Sequence, residues 1–519
     1  KSRMKFKKLI SKKGFKKAVT AVLTLTMLFS SVVSVFAAGE GIPDPAIDRS
    51  ITIHKYRMDD ITEARVRCDG TVQTVPSTAV ALQDVQFKIT KMQDSDVTKQ
   101  DTSWTPVTLT TNAQGTATIT GNSKLPMGIY LVQEIDNPAV DIKAADCLVS
   151  LPLTNPAGDG WIYDMHIYPK NQLKPGPEID KFITQLDNKD DTCDISQENK
   201  WIIETTMPDD MATCDVYQIT DVLDTRLDFV SGSTELYRVD IHGNRVKMST
   251  GGYTVNEPTT ANGRKLTVTL NDTGKKEAAQ SLQDIKKPSV YSLGQDNNVG
   301  TINIEFRTVL NKTAEGSMGQ AIYNGASLDY TNNLHVKYDQ VSVPDDKKPE
   351  THTTGINLVK VDSTNRNIAL PGAKFKIYRS ESDANKGINA IVDPTDHAKD
   401  WEVTTDAQGK AHFYGIEYGV MGDKHNSLDA VTWYWLVETQ APQNVNGVDY
   451  QLSKKPFKVR ADSVSYLAAN TVTITNVPKY DLPFTGADGG TTFIIGAGFC
   501  LIAAGALIVI RIKKSKKAE

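Results

Sequence analysis

Three lysines sit inside short apolar runs, where chemistry open to few other residues in the chain becomes available. Lys55 closes the alternating stretch Ser50-Ile51-Thr52-Ile53-His54-Lys55-Tyr56, Lys181 lies in Ile179-Asp180-Lys181-Phe182, and Lys360 in Leu358-Val359-Lys360-Val361. On a half-buried strand such a lysine is either a solvated tip or an amine taken out of water. Desolvation lowers a lysine's pKa and raises a neighbouring carboxyl's by up to ~3–5 units. The neutral amine is then a nucleophile, and the protonated acid can polarise a carbonyl. Other catalytic patterns are missing. The eight histidines show no HExxH and no clustered ligand spacing, which predicts solvated or structural roles and no metal. Asp187-Asn188-Lys189-Asp190-Asp191-Thr192-Cys193-Asp194 has calcium-loop acids without the loop's glycine and terminal glutamate, and reads as a solvated loop. There is no nucleophile elbow, no phosphate loop and no sign of a cofactor.

The two ends of the chain set its compartment. Lys5, Lys7, Lys8, Lys12, Lys13, Lys16 and Lys17 precede an apolar stretch from Ala18 to Phe36 and the small-residue exit Ala37-Ala38. This reads as a secretory signal peptide, residues 1–37, cut after Ala37, with Met4 the expected initiator. At the other end Leu482-Pro483-Phe484-Thr485-Gly486 precedes an apolar run from about Thr492 to Ile512 and the basic residues Arg511, Lys513, Lys514, Lys516 and Lys517. At ~1.5 Å per residue such a run spans roughly 31 Å as a helix, enough to cross a bilayer. The order of pentapeptide, span and cations resembles the cell-wall sorting signal of Gram-positive surface proteins. That resemblance implies that a sortase cleaves between Thr485 and Gly486 and passes the threonyl group to an amine, so the span is a temporary holding device.

The whole chain holds 58 Lys and Arg against 62 Asp and Glu. Nine cations and no acid lie in residues 1–37, and five cations and two acids in 486–519. The segment between therefore carries 44 cations and 60 acids, a net charge near −16. Such a surface argues against nucleic acid or an anionic membrane as the main partner. Outside the span remain Cys68, Cys147, Cys193 and Cys214. In an oxidising compartment they suggest two bridges, of three possible pairings. The domain assignment below favours Cys68–Cys147 and Cys193–Cys214.

Length and punctuation suggest three domains. Proline-bounded joints fall at Lys174-Pro175-Gly176-Pro177 and Pro344-Asp345-Asp346-Lys347-Lys348-Pro349. The expected segments are 38–174, 175–345 and 346–480, with the sorting signal at 481–519. Short alternating runs such as Lys265 to Leu270 and Thr471 to Thr475, broken by Asn, Asp, Gly and Pro, predict an all-β chain of three tandem immunoglobulin-like sandwiches, elongated, with a helix over Lys275 to Ile285. The first and third segments repeat one plan. Asp84-Val85-Gln86-Phe87-Lys88-Ile89 matches Gly372-Ala373-Lys374-Phe375-Lys376-Ile377. Thr110-Thr111-Asn112-Ala113-Gln114-Gly115 matches Thr404-Thr405-Asp406-Ala407-Gln408-Gly409. Gly128 to Glu134 matches Trp433 to Glu438.

On these features the chain resembles a sortase-assembled backbone (major) pilin with collagen-adhesin B-type domains. Trp161-Ile162-Tyr163-Asp164-Met165-His166-Ile167-Tyr168-Pro169-Lys170-Asn171 is similar to the pilin motif, with Met165 and Ile167 in place of the usual valine. Tyr434-Trp435-Leu436-Val437-Glu438-Thr439-Gln440-Ala441-Pro442 resembles the E-box. The resemblance implies that Lys170 accepts the next subunit's Thr485, with Lys174 as the competing acceptor. It also implies internal lysine–asparagine isopeptide bonds, each promoted by an acid. Matching positions gives Lys55, Asn171 and Glu134 in the first domain, Lys181, Asn324 and Asp221 in the middle one, and Lys360, Asn476 and Glu438 in the third. The implied partners are further copies of the chain, a class C pilus sortase and a housekeeping sortase, minor pilins, peptidoglycan, and a host surface or glycan. The implied location is a wall-anchored pilus, and the implied role is structural rather than enzymatic. A non-polymerising wall-anchored adhesin or basal pilin shares every feature except an acceptor lysine in use. A secreted enzyme on a sandwich scaffold lacks any catalytic constellation beyond self-crosslinking.

Overall fold

The computed structural model describes residues 42–58, 69–282 and 300–479. The leader, Cys68, the pentapeptide and the apolar run after it lie outside the described residues. Among the described residues no helix is long and apolar enough to cross a membrane.

Strands whose side chains alternate between buried and exposed gather into three hydrophobic cores. In the first, Ser50–His54 runs between Thr116–Thr120, antiparallel, and Asp164–Ile167, parallel. Facing it is a sheet built around Gln86–Gln93 and Gly128–Glu134, with Cys147–Leu151 and Val107–Thr110 at its flanks. The third core repeats this topology. Thr354–Asp362 runs between Lys410–Ile416, antiparallel, and Val472–Asn476, parallel. Its facing sheet has the order Glu402–Thr404, Lys374–Tyr378, Thr432–Gln440, Phe457–Ala461. In both cores a first strand and a last strand lie side by side and parallel, which joins the beginning of the sandwich to its end.

The middle core is larger and differently wound. Ile179–Ile183, Glu198–Thr206, Thr301–Leu310, Glu235–Val239 and Arg245–Lys247 form one sheet. Tyr253–Asn256, Lys265–Leu270, Val216–Val222, Ser327–Thr331 and Val341–Ser342 form the other. A helix is present near the expected place, but it begins at Asp272 and not at Lys275. Asn271 caps it by accepting from the backbone N–H groups of Thr273 and Gly274, so the helix starts where its free donors are satisfied. It runs to Ala279 and continues as a 3₁₀ turn over Gln280–Leu282.

The sandwiches are joined by more than their linkers. Leu334, on a loop of the middle sandwich, is buried in the first core beside Val336. Lys174 forms an ion pair with Asp209, and its carbonyl accepts from the Tyr338 hydroxyl at 2.7 Å. Beyond the second linker Glu350–His352 pairs with Asp190–Thr192 and Ile322–Tyr323 before the third core begins. The acidic stretch expected to be a solvated loop is part of this junction. Asp191, Cys193 and Asp194 are buried there, and Asp194 pairs with Arg379 and accepts from the Glu417 backbone. Strand pairing and a cation from the next sandwich hold these acids out of water, an interaction that local composition does not reveal.

His335 bridges the first two sandwiches. One ring nitrogen meets Asp215 at 2.5 Å and the other meets Asp84 at 2.7 Å. Burial alone lowers its pKa, but the hydrogen bonds to Asp215 and Asp84 outweigh that and raise it above the ordinary value. The clamp is therefore complete below about pH 6.5, the free-histidine value, and is lost as pH rises through the higher folded value. The ring is half exposed, so solvent screening limits the contribution to at most about 1 kcal/mol. His335 has a positive φ, which asparagine also tolerates, so His335→Asn removes the charge without straining the backbone. Thermal melts should find wild type slightly more stable than His335→Asn at pH 5.5 and equal to it at alkaline pH. A difference constant with pH would contradict the clamp.

Candidate functional site

In the first core the structure brings Lys55, Glu134 and Asn171 into one triangle. The lysine ammonium is 2.6 Å from Glu134 Oε2 and 2.5 Å from Asn171 Oδ1. The amide of Asn171 donates to Glu134, and the backbone N–H of Ala144 donates to Asn171 Oδ1 at 3.0 Å. The third core has the same arrangement. Lys360 Nζ is 2.6 Å from Asn476 Oδ1 and 3.2 Å from Glu438 Oε1, and Asn476 Nδ2 donates to Glu438 at 2.8 Å. Lysine and asparagine are 116 residues apart in both sets.

Register explains the convergence. Asn171 lies opposite Arg57, and Asn476 opposite Asp362, each two residues past the lysine on a parallel neighbour. Side chains alternate along a strand, so a spacing of two keeps lysine and asparagine on one inward face. The acid arrives from the facing sheet, where Glu134 pairs with Phe87 and Glu438 with Phe375. Those phenylalanine rings lie 5.6 and 5.3 Å from the lysine nitrogens, an apolar wall at the point where the charge sits.

Gly115 and Gly409 hold the lysine backbones, a role that the sequence repeat does not reveal. Each glycine carbonyl accepts from the backbone N–H of its lysine at 2.7 Å. Both glycines have positive φ, and a side-chain carbon on either would run into the lysine's own carbonyl. Only glycine fits there.

The middle set is assembled differently. Lys181 and Asp221 form a fully buried ion pair, and Lys181 Nζ also reaches the Gly325 carbonyl at 3.3 Å. Asn324, next in the chain to that carbonyl, is buried, and neither its amide nitrogen nor its amide oxygen has a hydrogen-bond partner. One oxygen of Asp221 is also unpaired. Leaving such groups dry and unpaired costs about 1–3 kcal/mol each.

All three lysines are fully buried. Burial pulls each amine down to about pKa 8, against the opposing pull of Glu134, Asp221 and Glu438. Burial also raises the carboxyl of Asp221, although Lys181 beside it acts in the other direction. At pH 7 an amine near 8 is roughly a tenth neutral, whereas an ordinary lysine near 10.4 is below about a thousandth neutral. In the first and third sets the arrangement therefore places a partly neutral amine against an amide carbonyl, with the acid holding the amide nitrogen.

Lys170 begins the strand Lys170–Leu173, opposite Tyr56. Because Asn171 points into the core, Lys170 faces the other way, and it is half-buried. Lys174 is occupied by Asp209.

The proposed Cys193–Cys214 bridge is absent. Cys193 precedes Glu198–Thr206 and Cys214 follows it. The nine residues of that strand carry the chain about 30 Å, whereas a disulfide needs Cα atoms within ~7 Å, and both thiols are free. Both thiols are buried, and each contacts a backbone carbonyl, Cys193 that of Asp194 and Cys214 that of Met211. The short sequence separation hid an intervening strand. Cys147 is half-buried at the start of Cys147–Leu151, and its expected partner lies outside the described residues.

Two of the sandwiches thus set their first strand beside their last around a dry lysine, acid and amide. Comparison with known proteins shows what the chain is similar to. Residues 92–172 match the Gram-positive pilin subunit D1 N-terminal domain, and residues 354–421 match a prealbumin-like fold domain. A "Fimbrial subunit type 1" of Actinomyces viscosus is 28% identical over 521 residues, covering 92% of each chain. A "Fimbrial subunit type 2" of Actinomyces naeslundii is 25% identical over 564 residues, covering 96% of each. The full-length major pilin SpaD of Corynebacterium diphtheriae is 22% identical, covers 85% of this chain and 99% of its own, and superposes with a TM-score of 0.42. The chain is thus similar over nearly its whole length to fimbrial subunits of Gram-positive bacteria.

The two separated thiols make a direct check. Alkylation of the native protein should leave Cys193 and Cys214 unmodified, and both should react on unfolding without reductant. A Cys193–Cys214 peptide in a non-reducing map would contradict the fold around Glu198–Thr206.

Proposed function

We propose that this chain is the repeating shaft subunit of a covalent cell-surface pilus, stiffened by internal isopeptide bonds and polymerised by a sortase. The matched Lys–Glu–Asn triangles in the first and third sandwiches carry the reading. In each, the neutral lysine amine attacks the asparagine Cγ, a C–N bond forms, and the amide nitrogen leaves as ammonia with the amine's proton. The acid polarises the carbonyl and passes the proton to the leaving nitrogen. Ala144 N–H, already on Asn171 Oδ1, stabilises the oxygen as charge develops there. In the middle sandwich the same chemistry would join Lys181 to Asn324 beside Asp221, turning an unpartnered amide into a bonded one.

Between subunits, a class C sortase cuts after Thr485, holds the threonyl group as a thioester and transfers it to Lys170 of the next copy. A housekeeping sortase then attaches the finished polymer to peptidoglycan. The outward face of Lys170 and its place in the Tyr168-Pro169-Lys170-Asn171 motif favour Lys170 as the acceptor. Its place in a strand paired on both sides means that the sortase must loosen that strand to reach it.

Two experiments test these steps. Measured against the mass its own sequence gives, Glu438→Ala should retain one ammonia that wild type has lost, and it should melt at a lower temperature. By analogy with a disulfide closing a loop of that length, the missing tie is worth about 5 kcal/mol. An unchanged deficit against the sequence mass would remove Glu438 from the reaction. For the polymer, Lys170→Arg should abolish the high-mass ladder in wall extracts while single subunits stay anchored. A threonine joined to Lys174, or an intact ladder, would overturn the acceptor assignment, and a wild-type strain with no ladder would favour the non-polymerising adhesin.

A further inference from the structure

Asp190, Glu350 and His352 meet where the second sandwich passes to the third. Asp190–Thr192 runs parallel to Glu350–His352 with Asp190 opposite Glu350, and His352 lies two residues on, on the same face. One ligand atom from each residue lies within 4.8 Å of the other two. His352 Nε2 is 3.3 Å from Glu350 Oε1 and 3.4 Å from Asp190 Oδ1, and although His352 is fully buried this nitrogen makes no hydrogen bond.

The Tyr418 hydroxyl gives its one hydrogen to the His425 carbonyl at 2.6 Å, so toward His352 Nδ1, 3.4 Å away, it is an acceptor. With the proton on Nδ1, Nε2 of the neutral ring would face two carboxylate oxygens as a lone pair, an arrangement that a cation between them relieves. The spacing suits a metal ion better than hydrogen bonds. Ligands about 2.0–2.1 Å from a tetrahedral ion lie roughly 3.3 Å apart, whereas N–H···O contacts cluster near 2.9 Å.

The surroundings complete a site. His425 Nδ1 donates to Asp190 Oδ1 at 2.7 Å and its backbone N–H to Oδ2 at 3.2 Å, the kind of outer partner that orients a ligating carboxylate. The carboxylates of Asp190 and Glu350 are 18% and 13% exposed, which leaves an entry path and an open position for water. We propose that Asp190, Glu350 and His352 bind a divalent transition-metal ion, zinc by ligand type and spacing, with His425 as outer partner. The ion would pin the leading strand of the third sandwich to the second. Sequence reading missed it because Asp190 and Glu350 are far apart in the chain and no two of its histidines share a ligand spacing.

The test is calorimetric titration of the chelator-stripped full-length protein with zinc chloride. Wild type should take up one equivalent. His352→Ala and the isosteric Asp190→Asn should each weaken binding by at least about 100-fold, more than the ~10–100-fold expected for the outer partner in His425→Ala. His412→Ala, an exposed histidine of the third sandwich, should bind as wild type. Should His352→Ala fail to fold, Asp190→Asn decides. No zinc uptake by folded wild type, zinc bound equally by Asp190→Asn, or calcium bound more tightly than zinc would each overturn the proposal.

Discussion

The removal of three lysine ammoniums from water is the constraint on which the rest of this molecule depends. An isolated charge in an apolar interior is prohibitive, so each buried lysine needs an acid beside it or must give up its proton. The acids supply the first solution, and the amine near pKa 8 shows that the second is close. The same burial that makes the groups costly to leave unpaired makes the amine nucleophilic.

Strand order turns this local chemistry into a property of whole sandwiches. In the first and third units the lysine and asparagine strands are adjacent and parallel, so a bond between them would close a loop of 116 residues. Tension entering on the first strand would leave on the last through one side-chain bridge, largely bypassing the hydrogen-bonded ladders between. The junctions follow a similar logic without covalent bonds. Leu334 and His335 reach into the first unit, and the Asp190 to Asp194 segment is woven into the third.

Much of this was legible in the sequence. The lysines set in apolar strands were visible as candidates, their acids and asparagines came from resemblance to the pilin motif and E-box, and the repeated Phe-Lys and Ala-Gln-Gly stretches indicated that one plan was used twice. What stayed hidden was long-range. The glycines of the repeat looked like turn residues, and only the fold shows Gly115 and Gly409 against the lysine carbonyls. Cys193 and Cys214 looked like a pair because sequence distance says nothing of a strand's length between them. The buried junction at Asp190 to Asp194 looked solvated because its partners, Arg379, Glu417 and His352, lie in or next to another unit. Asn271 marks the true helix start, because its side chain caps the free donors of Thr273 and Gly274.

Single-molecule stretching of the protein by its two ends tests the central claim most directly. If the lysine–asparagine bridges carry the load, the first and third sandwiches release none of the chain between Lys55 and Asn171 or between Lys360 and Asn476. If they do not, each sandwich unfolds with a gain of roughly 400 Å of contour, 116 residues at about 3.5 Å each. Traces without those two long steps are the predicted result. Their appearance in the wild-type protein would contradict the account.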